Sequence, residues 1–220
     1  MTSIREAQRG ARRQGPGGEF SARRQATRER LMDAAVELFA ERGVLAASVE
    51  EICERAGFTR GAFYSNFDSK DELCLDVLRR KGEQHLVALQ QVVESMPGAG
   101  SGLSRAQVIR DAVGLFLQAQ PKERTELIAM MELRLHALRT PELREGWLAV
   151  HANLCASIAG QLQMALDRVG GRIGMPMPQV IELLGAMYEN TVSMSLLNGE
   201  DAPTGLTAQL VALLDGLIHD

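Results

Sequence analysis

The stretch from Ser48 to Leu73 reads SVEEICERAGFTRGAFYSNFDSKDEL. Gly57-Phe58-Thr59 separates two short helical segments, 49–56 and 60–66. A glycine between short helices supplies the left-handed residue that a tight helix–turn–helix requires. Ser48-x-x-Glu51 has the form of a capping box. In it the hydroxyl accepts the N–H three residues on, and the carboxylate reaches back to the cap's own N–H. Ser69-x-x-Glu72 repeats the pattern and opens the next helix. Ile52 and Ala56 share one face at i, i+4, and Phe63 and Phe67 do the same on the following segment. The segment 60–66 is too short to form a core element. Its Arg60, Gly61, Tyr64, Ser65 and Asn66 carry hydrogen-bonding groups or no bulk at all. A glycine such as Gly61 costs a helix about 1 kcal/mol relative to alanine. That cost has a reason where a backbone must be approached closely. The major groove of DNA admits one helix and is read by side chains near its N-terminus. The helix starts at Ser48 and Thr59 offer free N–H groups and a positive dipole end to phosphate, and Tyr64 and Lys70 suit the same role.

Outward from this stretch the 220 residues read as helical almost throughout. Upstream, Leu31, Ala34, Ala35, Leu38 and Phe39 follow i, i+3, i+4, i+7, i+8, and Gly43 supplies a stop. Downstream, Ser104-x-x-Gln107 is a third capping box, and Thr140-Pro141 places proline at a first helical position. The pattern predicts nine helices over 23–42, 49–56, 60–66, 70–95, 104–119, 122–138, 141–169, 178–197 and 205–218. No run alternates apolar and polar residues as a strand would. Gly15-Pro16-Gly17-Gly18 reads as the helix-free end of a tail, and 96–102 and 170–174 as flexible loops. The fold class is all-α, with a three-helix helix–turn–helix domain followed by six helices. The division is a flexible basic tail over 1–21, a helix–turn–helix domain over 22–69 and a helical domain over 70–220.

The net charge of −4 argues by itself against a nucleic-acid partner. Its distribution argues the other way. Residues 1–30 carry eight arginines against three glutamates, 31–81 seven basic against ten acidic groups, and 82–220 nine against fifteen. A basic tip is joined to an acidic body. The tail reads as solvated chain, with an organelle transit peptide as the less common alternative. No apolar run approaches the ~18 residues that span a bilayer. Three widely spaced cysteines, Cys53, Cys74 and Cys155, form no disulfide framework and fit a reducing cytoplasm.

Residues 28–78 resemble the N-terminal DNA-binding domain of the TetR family of bacterial transcriptional regulators. The resemblance is carried by Ala56-Gly57-Phe58-Thr59-Arg60-Gly61-Ala62-Phe63-Tyr64-Ser65-Asn66-Phe67, by Ser69-Lys70-Asp71-Glu72-Leu73 and by Ala35-x-x-Leu38-Phe39-Ala40-Glu41-Arg42-Gly43. Ala137 to Arg144 resembles a phrase in the effector domains of many members. The resemblance implies phosphate contacts from Ser48, Thr59, Tyr64, Asn66 and Lys70. It implies base readout by Arg60, Gly61, Ala62 and Ser65. Asn66 stands where many members have His, and Ala62 where many have Thr or Ser. It further implies that 22–69 is the DNA-binding domain and 70–220 the effector-binding and dimerisation domain of a homodimer on a near-palindromic double-stranded operator, released by a small-molecule effector, in the cytoplasm. A member acting as an activator, or without an effector, is the alternative.

Within the body, Leu143, Trp147, Val150, Leu154, Ile158, Leu162 and Ala165 make one apolar stripe, and Leu127, Met131, Leu135 and Leu138 another. Methionines there serve either as adaptable pocket wall or as plain core. The candidate pocket, for a largely apolar effector, comprises His85, Phe116, Met131, His136, Trp147, His151, Cys155, Met187 and Tyr188. Helix 70–95 is the long element expected to touch both this pocket and the DNA-binding unit. Val180, Leu184 and Met187, with Leu206, Leu210, Leu213, Leu214 and Leu217, suit either a four-helix dimer interface or packing inside one subunit. Glu132 and His136 at i, i+4 are the start of a metal clamp with His151, but no further ligand spacing follows. The expected site holds no metal and no cofactor. With no nucleophile–base pair and no phosphate loop, no catalytic residue is assigned and an enzyme is the disfavoured class.

Overall fold

The computed structural model describes residues 16–95, 105–119, 123–168, 172–200 and 205–219. Among them nine helices run in order: α1 Pro16–Arg42, α2 Val49–Ala56, α3 Arg60–Tyr64, α4 Lys70–Ser95, α5 Arg105–Ala119, α6 Arg124–Arg139, α7 Pro141–Arg168, α8 Met177–Leu197 and α9 Leu206–Leu217. The architecture is all-α, three helices followed by six. The Ser104 cap and the 96–102 loop lie outside the described residues.

Two expectations of local structure are corrected. The first helix starts at Pro16, inside the segment read as helix-free. Proline at a first helical position gives up an N–H that has no partner there, and its φ is already helical. A long helix behind it then carries two glycines in its first turn. The second correction is a two-residue antiparallel ladder, β1 Arg172–Ile173 on β2 Ile218–His219, paired Arg172 with His219 and Ile173 with Ile218. Two residues are too few to write an alternating pattern. The ladder ties the end of α9 to the segment before α8, and Gly174 N–H adds a bond to the Leu217 carbonyl at 3.1 Å.

Packing forms two cores. The first joins α1, α2 and α3 with Leu73, Cys74 and Val77 of α4, Ala129, Leu133 and Ala137 of α6, and Leu143 of α7. The second joins Ile109 and Val113 of α5, Leu166 of α7, Val180 and Leu184 of α8, Leu206 and Leu210 of α9, and Ile218. The apolar packing therefore does not stop at residue 70.

Two apolar faces are also corrected. On α6 the buried side is Ala129, Leu133, His136 and Ala137, whereas Met131, Leu135 and Leu138 are exposed, Leu138 at 64%. Small residues let α6 lie close against the first core, and the bulkier leucines fall on the outer side. On α8 and α9, Val180, Leu184, Leu206 and Leu210 are buried within the single chain. Met187, Leu213 and Leu214 pack against that core, and Leu217 is half-buried. Four residues of the expected seam, Val180, Leu184, Leu206 and Leu210, thus belong to the subunit's own core.

Candidate nucleic-acid interface

The helix–turn–helix is held at each end by the groups the sequence assigns. Ser48 has extended backbone (φ −85°, ψ 158°) and its Oγ accepts from Glu51 N–H at 3.2 Å. Glu51 Oε2 in turn accepts from Ser48 N–H at 2.9 Å and from the Ser48 hydroxyl at 2.8 Å. These bonds, the backbone one first, hold the Glu51 carboxyl below the usual carboxylate range. Helix α2 stops at Gly57, whose φ of 71° is left-handed. Gly57 N–H reaches the Glu54 carbonyl at 3.1 Å, and Phe58 N–H the Cys53 carbonyl at 2.8 Å. Arg30 of α1 locks the turn from below. It donates to the Ala56 carbonyl at 2.7 Å and stacks 4.7 Å from the Phe58 ring centroid. Thr59 then caps α3, its Oγ1 accepting from Ala62 N–H at 3.2 Å.

Helix α3 has five residues and one inward anchor, the fully buried Phe63. Phe67 is buried beside it, ring centroids 5.5 Å apart. The Arg28 guanidinium sits 4.2 Å from the Phe67 centroid and donates to the Asn66 carbonyl and to Asp76 of α4. The outward side presents Arg60, Gly61, Tyr64 and Ser65. Tyr64 is 47% exposed. Arg60 pairs with Glu50 and lies 5.5 Å from the Tyr64 ring centroid. A Cβ added at Gly61 would meet only Thr59 Oγ1, at 3.7 Å. Nothing inside the fold asks for glycine there. Ser65 Oγ donates to the Ala62 carbonyl at 2.9 Å, and Ala62 is half-buried.

Two implied phosphate contacts are placed differently. Asn66 is only 8% exposed. Its Nδ2 donates to the Ala62 carbonyl at 2.8 Å and to Ser65 Oγ at 3.3 Å, so it closes the end of α3 instead of facing outward. Lys70 Nζ donates to the Val44 and Ala47 carbonyls at 2.8 and 2.9 Å. Two of its three protons hold the turn between α1 and α2. The Ser69 cap forms as read, Glu72 N–H donating to Ser69 Oγ at 3.1 Å, but Glu72 Oε2 accepts from Asp68 N–H at 2.6 Å, one residue earlier than expected.

The sequence reading gave no individual role to Arg23, Arg24 and Thr27. With Ser65 and Asn66 they line a cleft of about 290 Å³ beside the end of α3. Among the described residues Asn66 Oδ1 is buried without a hydrogen-bond partner. The excess of arginine in residues 1–30 was the signal, but the register that turns two of them toward α3 is set by tertiary packing.

The described pocket candidates are spread over both cores and the surface. Trp147 packs against the first core, while Met187 and Tyr188 pack against the second. Burial pushes the Tyr188 hydroxyl up to about 12 and pulls His85 below the ordinary imidazole range. Met131 is on the outside of α6. His151 is exposed and lies 3.7 Å, through Nδ1, from the half-buried Cys155 Sγ. His136 Nε2 is 2.9 Å from Asp71 Oδ1. The Phe116 side chain lies outside the described residues. Among the described residues no three His, Cys, Asp or Glu side chains come together as a metal site, and no helix is long and apolar enough to cross a membrane.

A capped helix–turn–helix with an outward, sparsely substituted second helix defines a DNA-binding module of the bacterial regulator type. Residues 31–77 match the model of the family described as bacterial regulatory proteins, tetR family. The chain is 38% identical over 64 residues to the transcriptional repressor KstR2 of Rhodococcus jostii, covering 29% of this chain and 31% of that one. It is 36% identical over 89 residues to the transcriptional activator FasR of Mycolicibacterium smegmatis, covering 40% and 41%. The chain thus spans about three tenths to two fifths of these relatives' length. Its fold matches that of the regulator FadR of Bacillus subtilis, solved with stearoyl-CoA, at a TM-score of 0.62 and 21% identity over 84% of this chain and 96% of that one.

Proposed function

We propose that the chain is a homodimeric, ligand-responsive repressor of transcription that binds a near-palindromic operator and is released by a small-molecule effector. The observation that carries this reading is α3, a helix capped at its start, anchored by Phe63 and open on the side of Arg60, Gly61, Tyr64 and Ser65. Arg60 and Ser65 have the donors for base edges, Ala62 a methyl for a thymine methyl, and Gly61 lets the groove come close. The helix starts at Ser48 and Thr59, the Tyr64 hydroxyl and the third Lys70 proton suit phosphates. Arg23 and Arg24 extend the cationic surface. The protein acts by binding, not catalysis, in the cytoplasm where its DNA is.

The residue division stays as read, with 22–69 contacting DNA and 70–220 carrying effector and dimer surfaces. The effector is largely apolar, and His85, Trp147, Met187 and Tyr188 are the candidates to line its site. The fold shared with a protein solved with stearoyl-CoA supports a ligand of that character. The likeness to KstR2 supports repression. The likeness to FasR favours a second reading, activation from the same DNA contacts.

Selection from random-sequence duplexes, followed by mobility shift, tests the DNA reading. The expected product is a near-palindrome with half-sites about 34–36 Å apart or somewhat more. Recovery of no preferred duplex would overturn it. Placing the recovered duplex across a reporter promoter separates repression from activation.

A further inference from the structure

The Glu132–His136 pair flagged for metal makes a different structure. A Cβ at Gly43 would fall 2.8 Å from Glu132 Oε2, so the Glu132 carboxylate lies directly against the turn that follows α1. Gly43 itself has φ 79°. One helical turn on, His136 is 7% exposed and its Nε2 is 2.9 Å from Asp71 Oδ1 at the start of α4. Its other ring nitrogen is 3.5 Å from Thr140 Oγ1. Lys70, next to Asp71, donates back to the Val44 and Ala47 carbonyls of that same turn. The contacts close a ring: Glu132, the 43–47 turn, Lys70, Asp71, His136 and back along α6. Four residues before Lys70, Asn66 closes α3.

We infer that His136 is a positioning residue for DNA recognition: through its bond to Asp71, α6 fixes where α4 begins and thereby how α3 is presented. The inference rests on α3 being the reading helix. It makes α6, and not α4 alone, the element joining the body to the DNA-binding unit. Asp71 is a carboxylate and accepts, so Nε2 carries the donated proton and the Thr140 hydroxyl faces Nδ1. The bond has a carboxylate acceptor and is buried at its His136 end, while the Asp71 side chain is 40% exposed. An effector that moves α6 would loosen the ring at two points at once.

Four variants test this in the full-length protein: His136→Phe and Asp71→Ala remove donor or acceptor, while His136→Gln and Asp71→Asn each keep one. The first readout is hydrogen exchange over amides 66–74 without DNA. His136→Phe and Asp71→Ala should raise exchange there on the order of tenfold, leave α8 and α9 unchanged, and be no worse combined than singly. The second is binding to the duplex selected by the wild type and to an unrelated duplex. Specific affinity should fall on the order of tenfold with non-specific affinity held, and His136→Gln should restore most of it. Unchanged exchange over 66–74 would overturn the inference whatever the DNA result. Equal loss on both duplexes would also overturn it, as would no recovery with His136→Gln. Failure of the wild type to prefer any duplex would instead overturn the DNA-binding reading, while the exchange result still decides whether His136 places α4.

Discussion

Ser48 and Thr59 each turn one side-chain oxygen onto an N–H three residues ahead, and this local chemistry was legible because a cap needs only near neighbours. Replacing Ser48 by alanine should cost about 1 kcal/mol, measured as a lowered denaturation midpoint at neutral pH. The pH dependence has a definite sign. The Glu51 carboxyl is held low in the folded state, first by the Ser48 N–H and then by its hydroxyl. Its contribution is present above the ordinary carboxylate value and lost as pH falls through the lowered one. The wild type therefore gives up more on acidification than Ser48→Ala, and the gap between them should narrow. A gap that widened in acid would contradict the capping box. Asn66 was not legible in this way because its burial is set by packing, although its partners Ala62 and Ser65 are near neighbours, and Lys70 was not because its partners lie 23 and 26 positions away. Arg60 is different again, since it is exposed and pairs with Glu50. Arg60→Ala should cost about 1–3 kcal/mol on the selected duplex and relax preference at one base pair. Tyr64→Phe should weaken selected and unrelated duplexes alike, and competition binding on both separates the two roles.

At the scale of elements, helix positions follow from caps and stops, whereas the inward face of a helix follows from what it packs against. On α7 the apolar stripe was legible because Leu143 and Trp147 are large and their side is the buried one. On α6 the heavier residues point outward and the helix is seated by Ala129, Leu133 and Ala137. An apolar count cannot see that small residues mark a close approach. The consequence is testable by paired truncations. Leu133 is fully buried, so Leu133→Ala should destabilise by about 2–5 kcal/mol. Leu138 is mostly exposed, so Leu138→Ala should change stability by less than about 0.5 kcal/mol. Urea unfolding of both variants measures the difference, and equal costs would mean that α6 is seated on its other face.

For the whole molecule, the burial of Val180, Leu184, Leu206 and Leu210 inside the subunit bears on where the second copy of the proposed dimer would bind. The inward residues Leu184, Leu206 and Leu210 already have partners inside the subunit. What α8 leaves outside is Leu183, Ala186, Asn190, Met194 and Leu197, spaced along one side, with Leu197 76% exposed. Beside it α9 leaves Ala208, Ala212 and Gly216 outside, at i, i+4 and i+8. Large side chains on one helix and small ones on its neighbour are the complementary surfaces that two copies related by a two-fold axis can interlock. A dimer built on this face carries two α3 helices, and a palindromic operator needs both. Leu183→Glu combined with Met194→Glu should therefore yield a folded monomer, with helical content and thermal midpoint near wild type, that binds the selected duplex much more weakly. Leu210→Glu places a charge in a fully buried position of the second core, and it should unfold that core before it separates subunits. Sedimentation velocity with circular dichroism distinguishes the two. A Leu183→Glu, Met194→Glu protein that still sedimented as a dimer would show that the subunits meet elsewhere.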